Sequence, residues 1–134
     1  MDIFKVSSSA LESQRIRMNT IASNMANAQT TKTEHGGPYV KKDVVFSTMP
    51  VNVKADRSLD GVKVSGIVED TKPPIVVYDP GHPDADENGN VSMPNINVIE
   101  EMVNMMMAFR AYEANVRAFN TSKGMYQKSL ELGR

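Results

Sequence analysis

The chain contains no cysteine and no tryptophan, and aromatic residues make up only 6% of its 134 positions. Without cysteine there is no disulfide, no thiolate nucleophile and no thiolate metal ligand. The two histidines, His35 and His82, lack a second good ligand at helical metal-site spacing, so zinc chemistry has no foundation either. Neither sign of charge dominates: 15 Lys and Arg stand against 16 Asp and Glu, for a net charge of −1. That balance provides no basic field to neutralise a phosphate backbone or to hold an anionic membrane. No apolar run approaches the length of a membrane span, and the N-terminal MDIFKVSSSALESQRIR has neither the basic nor the apolar region of a cleaved secretion signal. Serines are common, yet none sits in a nucleophile elbow, and Gly36-Gly37 runs into Pro38 where a phosphate-binding loop would open a helix. Nothing in the sequence assembles a catalytic constellation or a cofactor site.

Proline is also missing from both ends. All seven prolines fall between Pro38 and Pro94, and six of the eight glycines between Gly36 and Gly89. This divides the chain into 1–30, 31–96 and 97–134, read as helix, irregular β and helix. The fold class is therefore mainly α with a small irregular β region. The terminal helices are expected to pair as a coiled-coil-like hairpin around a Pro/Gly-rich, β-containing middle.

In the first segment Phe4, Leu11, Met18 and Met25 recur every seven residues, with Ile21 and Ala28 on the neighbouring stripe. Ser9 and Glu12 have capping-box spacing, which places the helix start at Ser9, with Asp2 as the alternative. In the last segment Met102, Phe109, Val116 and Leu130 share one heptad position, and Met105, Tyr112, Phe119 and Tyr126 share the other. Asn97 is a suitable N-cap, Glu101 suits the positive end of the helix dipole, and Gly133 can close the helix. A helix of this extent is roughly 50 Å long, more than so small a domain requires.

The middle carries the strand candidates VVFSTM, VNVKA, VKVSGIV and IVVY, with Gly66 marking a bulge. It also holds DPGHPDADENGNVSMPN, in which Asp84, Asp86, Asn88 and Gly89 match the first half of an EF-hand loop. The last ligand position is Asn95 where such loops use a bidentate Glu, and prolines forbid an entering helix. A calcium-dependent interaction module centred on this stretch is the alternative function. The plainer reading is a turn in which Asx side chains bond their own backbone and Asn88-Gly89 supplies a positive φ.

Two stretches point outward. MVNMMMAFRAY gathers Met102, Met105, Met106 and Met107, unbranched thioethers that adapt to irregular neighbours. A chain this poor in aromatics cannot cover two long apolar stripes alone, so packing between molecules is the economical reading. ASNMANAQTT, at 22–31, gives up strong helix formers. Ala22, Ala26 and Ala28 would admit a close helix, and Ser23, Asn24 and Asn27 offer hydrogen bonds across such a contact.

ASNMANAQTTKTEHGGPYVKKDVVF at 22–46 resembles the N-terminal signature of bacterial flagellar axial proteins, in the form seen in their proximal-rod members. YDPGHPDADENGNVSMPNINVIEEMVNMMMAFRAYEANVRAFNTSKGMYQKSLELG at 78–133 is similar to the C-terminal half of the same family. The resemblance implies a non-enzymatic subunit of the flagellar basal-body rod, a helical drive shaft that carries torque across the cell envelope. Its implied partners are copies of itself, other rod proteins and the flagellar type III export apparatus, with no nucleic acid, membrane insertion or small-molecule substrate. Its implied location is the rod in the periplasmic space, reached without a cleaved signal peptide. By the same likeness, 1–30 and 97–134 form an inner-tube (axial) domain, and 31–96 an outer region. Phe4, Leu11, Met18, Ile21 and Met25 would then face Met102, Met105, Phe109, Tyr112, Val116, Phe119, Tyr126 and Leu130, within a subunit or between neighbours.

Overall fold

The computed structural model describes residues 2–50 and 60–134, with the side chain of Asp2 also left aside. Helix α1 spans Asp2–Ala26, strands β1 and β2 span Lys42–Pro50 and Asp60–Glu69, β3 and β4 span Ile75–Tyr78 and Asn90–Met93, and helix α2 spans Val98–Leu132. This is the mainly α fold with a small strand-containing middle that the sequence indicates. The strand expected at VNVKA lies outside the described residues.

Helix α1 begins at Asp2, so the capping-box start at Ser9 is corrected. Ser9 is interior: its hydroxyl donates to the Val6 carbonyl and accepts the Val62 N–H at 3.1 Å. One turn later the Ser13 hydroxyl donates to the Val62 carbonyl at 3.3 Å. Ser9 and Ser13 thus satisfy both backbone groups of one β2 residue, which explains why a helix face carries serines where an apolar contact would be expected. Helix α2 begins on Asn97, whose side chain accepts from the N–H groups of Ile99 and Glu100. At its end the Gly133 N–H bonds the Ser129 carbonyl at an ordinary negative φ.

β1 and β2 form an antiparallel pair whose register slips between Val45 and Phe46, leaving Ser65 opposite no residue and Gly66 beside it. The bulge falls where Gly66 marks it. β3 and β4 form a second antiparallel pair. β4, at NVSM, has no counterpart among the strands read from the sequence. Its residues belong to the metal-like stretch, which the structure resolves as a turn leading into a strand. Within that turn Asp86 accepts the N–H groups of Asn88 and Asn90 on one oxygen, and Gly89 takes a φ of +79°. Among the described residues no cluster of acidic or histidine side chains stands ready to hold a metal.

The helices run antiparallel. At one end the Phe4 ring meets Phe119 at 5.3 Å and Tyr126 at 6.2 Å, both edge to face, and at the other Asn24 bonds Glu101. Helix α1 also packs on β1 and β2, so it lies between the strand pair and α2. Among the described residues the buried apolar side chains are Ile21, Val91, Pro94 and Ala108. The larger apolar residues therefore stand at elements' edges or outside, and this chain closes little core by itself.

Candidate assembly surface

Helix α2 carries its large side chains on two rows with different surroundings. The row Met105, Tyr112 and Phe119 is half-buried, and with Tyr126 at its outer end it meets α1 through Phe4. Beside it runs a second inward row, Glu101, Ala108, Asn115 and Ser122, buried in its first two members and half-buried in the others. Small residues at Ala108 and Ser122 let the α1 backbone come close, while the aromatic row fills the space alongside.

The other expected row faces away. Met102, Phe109 and Leu130 are 52%, 53% and 56% exposed, and only Val116 is half-buried. An α-helix advances about 100° per residue, so moving from the 101/108/115 row to the 102/109/116 row takes the side chain off the α1 contact. Ile99, Val103, Met106 and Met107 extend this outer surface, all of them exposed. Further along, Phe109, Tyr112, Glu113, Val116 and Arg117 line a shallow apolar hollow. On α1, Ile21 is buried, and Phe4, Leu11, Met18 and Met25 are half-buried. The thirteen residues named from the sequence thus divide: Phe4, Phe119 and Tyr126 meet across the helix pair, Ile21 is buried, Leu11, Met18, Met25, Met105, Tyr112 and Val116 are half-buried, and Met102, Phe109 and Leu130 form a separate surface that none of the described residues covers.

Four functionally placed residues are not anticipated as a group by the sequence. Asn24, 0% exposed, uses its full bonding capacity. Its Nδ2 donates to the Lys42 carbonyl at 2.8 Å and to Glu101 Oε2 at 3.1 Å, and its Oδ1 accepts the Lys42 N–H at 2.9 Å and the Tyr39 hydroxyl at 3.1 Å. Glu101, 1% exposed, places its other oxygen 3.2 Å from Lys41 Nζ. Burial works to lower the Lys41 pKa, but the hydrogen bond and charge of Glu101 outweigh it and hold the ammonium above its ordinary value. The signal in the sequence is Asn24 itself, a poor helix former on the inner face. Glu101 reads as a dipole-favouring surface acid until its row is known to face α1. Ala22 and Ala26, in contrast, are exposed and receive no helix from among the described residues.

The two ends of this arrangement correspond to two known sequence families. Residues 4–32 match the family described as flagella basal body rod protein, and residues 87–132 match the flagellar basal body rod FlgEFG protein C-terminal family. Across its full length the chain is 45% identical to the flagellar basal-body rod protein FlgC of Salmonella typhimurium, covering 98% of that relative. It is 46% identical over its full length to FlgC of Escherichia coli O6:H1, again covering 98% of it. With FlgC of Bacillus subtilis it shares 39% identity, over 96% of this chain and 95% of that one. The chain belongs to the flagellar basal-body rod protein family. The family-matched segments contain nearly all of α1 and the whole of α2, and each contributes one partner of the Asn24–Glu101 hydrogen bond. Tyr39 and Lys41, which complete the cluster, lie between them.

Proposed function

We propose that the outer row of α2 is the surface through which this rod-family chain packs against neighbouring subunits. The chain is a structural subunit of the flagellar basal-body rod, and it assembles with other rod components there. The observation that carries the packing assignment is the contrast between four buried apolar side chains in the described residues and a continuous exposed apolar strip from Ile99 to Phe109. Exposed strips of this kind mark association surfaces, and methionine-rich ones suit several differently shaped neighbours. In this reading the paired terminal helices form the axial part of the subunit and the strand-bearing middle lies outside them. The chain reaches its place through the flagellar export apparatus without signal cleavage. It engages no nucleic acid and performs no chemistry. Its mechanical role follows from repetition: many parallel helix pairs share the shear that a rotating shaft imposes.

The test is a short epitope inserted beside Asn88, in the exposed turn before β4, followed by imaging of isolated basal bodies from motile cells. Label along the rod is the expected outcome. Label absent from basal bodies, or on another part of them, contradicts the assignment.

A further inference from the structure

We infer that Glu101, held by Asn24 and Lys41, is a register lock: it selects which heptad of α2 faces which heptad of α1, a choice that the apolar seam makes only weakly. The seam repeats. Phe4, Leu11, Met18 and Met25 are seven residues apart, and so are Met105, Tyr112, Phe119 and Tyr126. In the observed register Phe4 lies against Phe119 and Tyr126, with Asn24 opposite Glu101. Sliding α2 by one heptad, so that Asn24 stands opposite position 108, leaves Phe4 beside Tyr126 and lets Leu11, Met18 and Met25 meet the aromatic and methionine row further along. The shifted seam keeps Phe4 beside Tyr126 and gives up the Phe4–Phe119 edge contact, so apolar packing alone separates the two registers weakly.

The polar cluster makes the difference. Asn24, Tyr39, Lys41 and Lys42 all travel with α1, because Asn24 bonds both backbone groups of Lys42 and accepts from Tyr39. Glu101 is the one member supplied by α2. At the equivalent position one heptad on, the residue is Ala108, fully buried and without a polar atom in its side chain. A shifted pair would leave an Asn24 donor and the Lys41 ammonium without the carboxylate that satisfies them, and would carry Glu101 away from both. A single buried polar residue fixing register among equivalent heptads is the best-attested use of such groups.

The absence of cysteine permits a direct test with the full chain. Spin labels are attached through Ala22→Cys and Lys128→Cys, both at exposed positions, and the distance between them is measured by pulsed electron resonance. One narrow distance is expected for the otherwise native chain. Moving the acid, with Glu101→Ala and Ala108→Glu together, is expected to produce a population shorter by roughly 10 Å, the rise of seven helical residues. Replacing the pair by apolar side chains, Lys41→Met with Glu101→Met, is expected to yield both distances at once. The lock is overturned if the relocated acid leaves only the native distance, which assigns register to the seam. It is equally overturned if the relocation removes every defined distance, if the apolar pair keeps the native distance alone, or if the native chain itself has no narrow distance.

Discussion

Lys41→Met removes the one cation among the described residues that is bonded to a carboxylate 1% exposed, and the structure allows its cost to be ranked before measurement. In the native fold Glu101 has Lys41 on one oxygen and Asn24 on the other. After the substitution the Asn24 amide is left as the sole partner, among the described residues, of a buried negative charge. Removing one member of a buried ion pair costs about 3–5 kcal/mol, because the survivor keeps its desolvation penalty and loses its compensation. Small domains have only about 5–15 kcal/mol in total, and a chain with so few buried apolar side chains belongs at the lower end. With a urea slope of ~1.5 kcal/mol per M, the unfolding midpoint by far-ultraviolet circular dichroism falls by about 2 M or more. The internal comparison is Arg15→Ala. Arg15 also bonds a carboxylate, Glu12 at 2.8 Å, but both groups are well exposed, and water replaces the lost partner. That variant is expected to unfold at the native midpoint. Equal midpoints for Lys41→Met and Arg15→Ala would refute the reasoning, since they would mean that Glu101 reaches water when its cation is gone.

Asn24→Ala strands both backbone groups of Lys42 and one oxygen of Glu101, and at about 1–3 kcal/mol for each buried group left unsatisfied it should cost about 3 kcal/mol or more. Asn27→Ala loses an exposed bond to the Ser23 carbonyl and the bond it accepts from the Thr30 hydroxyl, both within reach of water, and should cost about 1–2 kcal/mol, less than Asn24→Ala, in the same urea experiment. Phe119→Ala, on the row that meets Phe4, should lower the unfolding midpoint of the isolated chain. Phe109→Ala should leave the midpoint unchanged while reducing the fraction of cells that complete a rod. For pH, the folded pKa of Lys41 is raised, so its contribution is fully present below the ordinary lysine value of 10.5 and is lost as pH rises through the folded value. Thermal stability should accordingly decline above about pH 10.5, a step that the Lys41→Met, Glu101→Met double variant lacks. Adding calcium should leave the melting temperature unmoved, since a ligand bound only by the native state must raise it with concentration.

The sequence makes the helices and most strands legible because they rest on local rules. Seven-residue apolar spacing marks both helices, β-branched runs mark β1, β2 and β3, and Gly66 marks the bulge. Where two local signals compete, it is less informative. Ser9 and Glu12 have the spacing of a helix start, but Ser9 serves the backbone of Val62, a residue 53 positions away that no window around Ser9 contains. β4 hides in a stretch rich in Asp, Asn and Gly, whose turn chemistry masks the four residues that follow it. The orientation of α2 is hidden for a different reason. Its apolar surface is wide enough for the 102/109/116 row and the 105/112/119/126 row to look like two sides of one seam, whereas the contact uses the second row together with Glu101, Ala108, Asn115 and Ser122. A row containing a charge, an amide and two small residues does not look like a packing face. It becomes one because small side chains admit α1 and because Asn24 and Lys41 satisfy the charge, a match that depends on residues 60 or more positions away.

The assignment of the outer α2 row to subunit packing is tested most directly by thiol accessibility at Met106→Cys in this otherwise cysteine-free chain. Position 106 is exposed in the isolated molecule, so a maleimide probe should label it quickly in the purified subunit. Lys63→Cys, exposed on β2 away from the row, serves as the reference. In basal bodies isolated from motile cells, the thiol at position 106 should be protected by at least tenfold while that at position 63 continues to react. Labelling of position 106 in basal bodies at the rate found for the free subunit would contradict the account, because it would leave the outer row facing water in the finished rod.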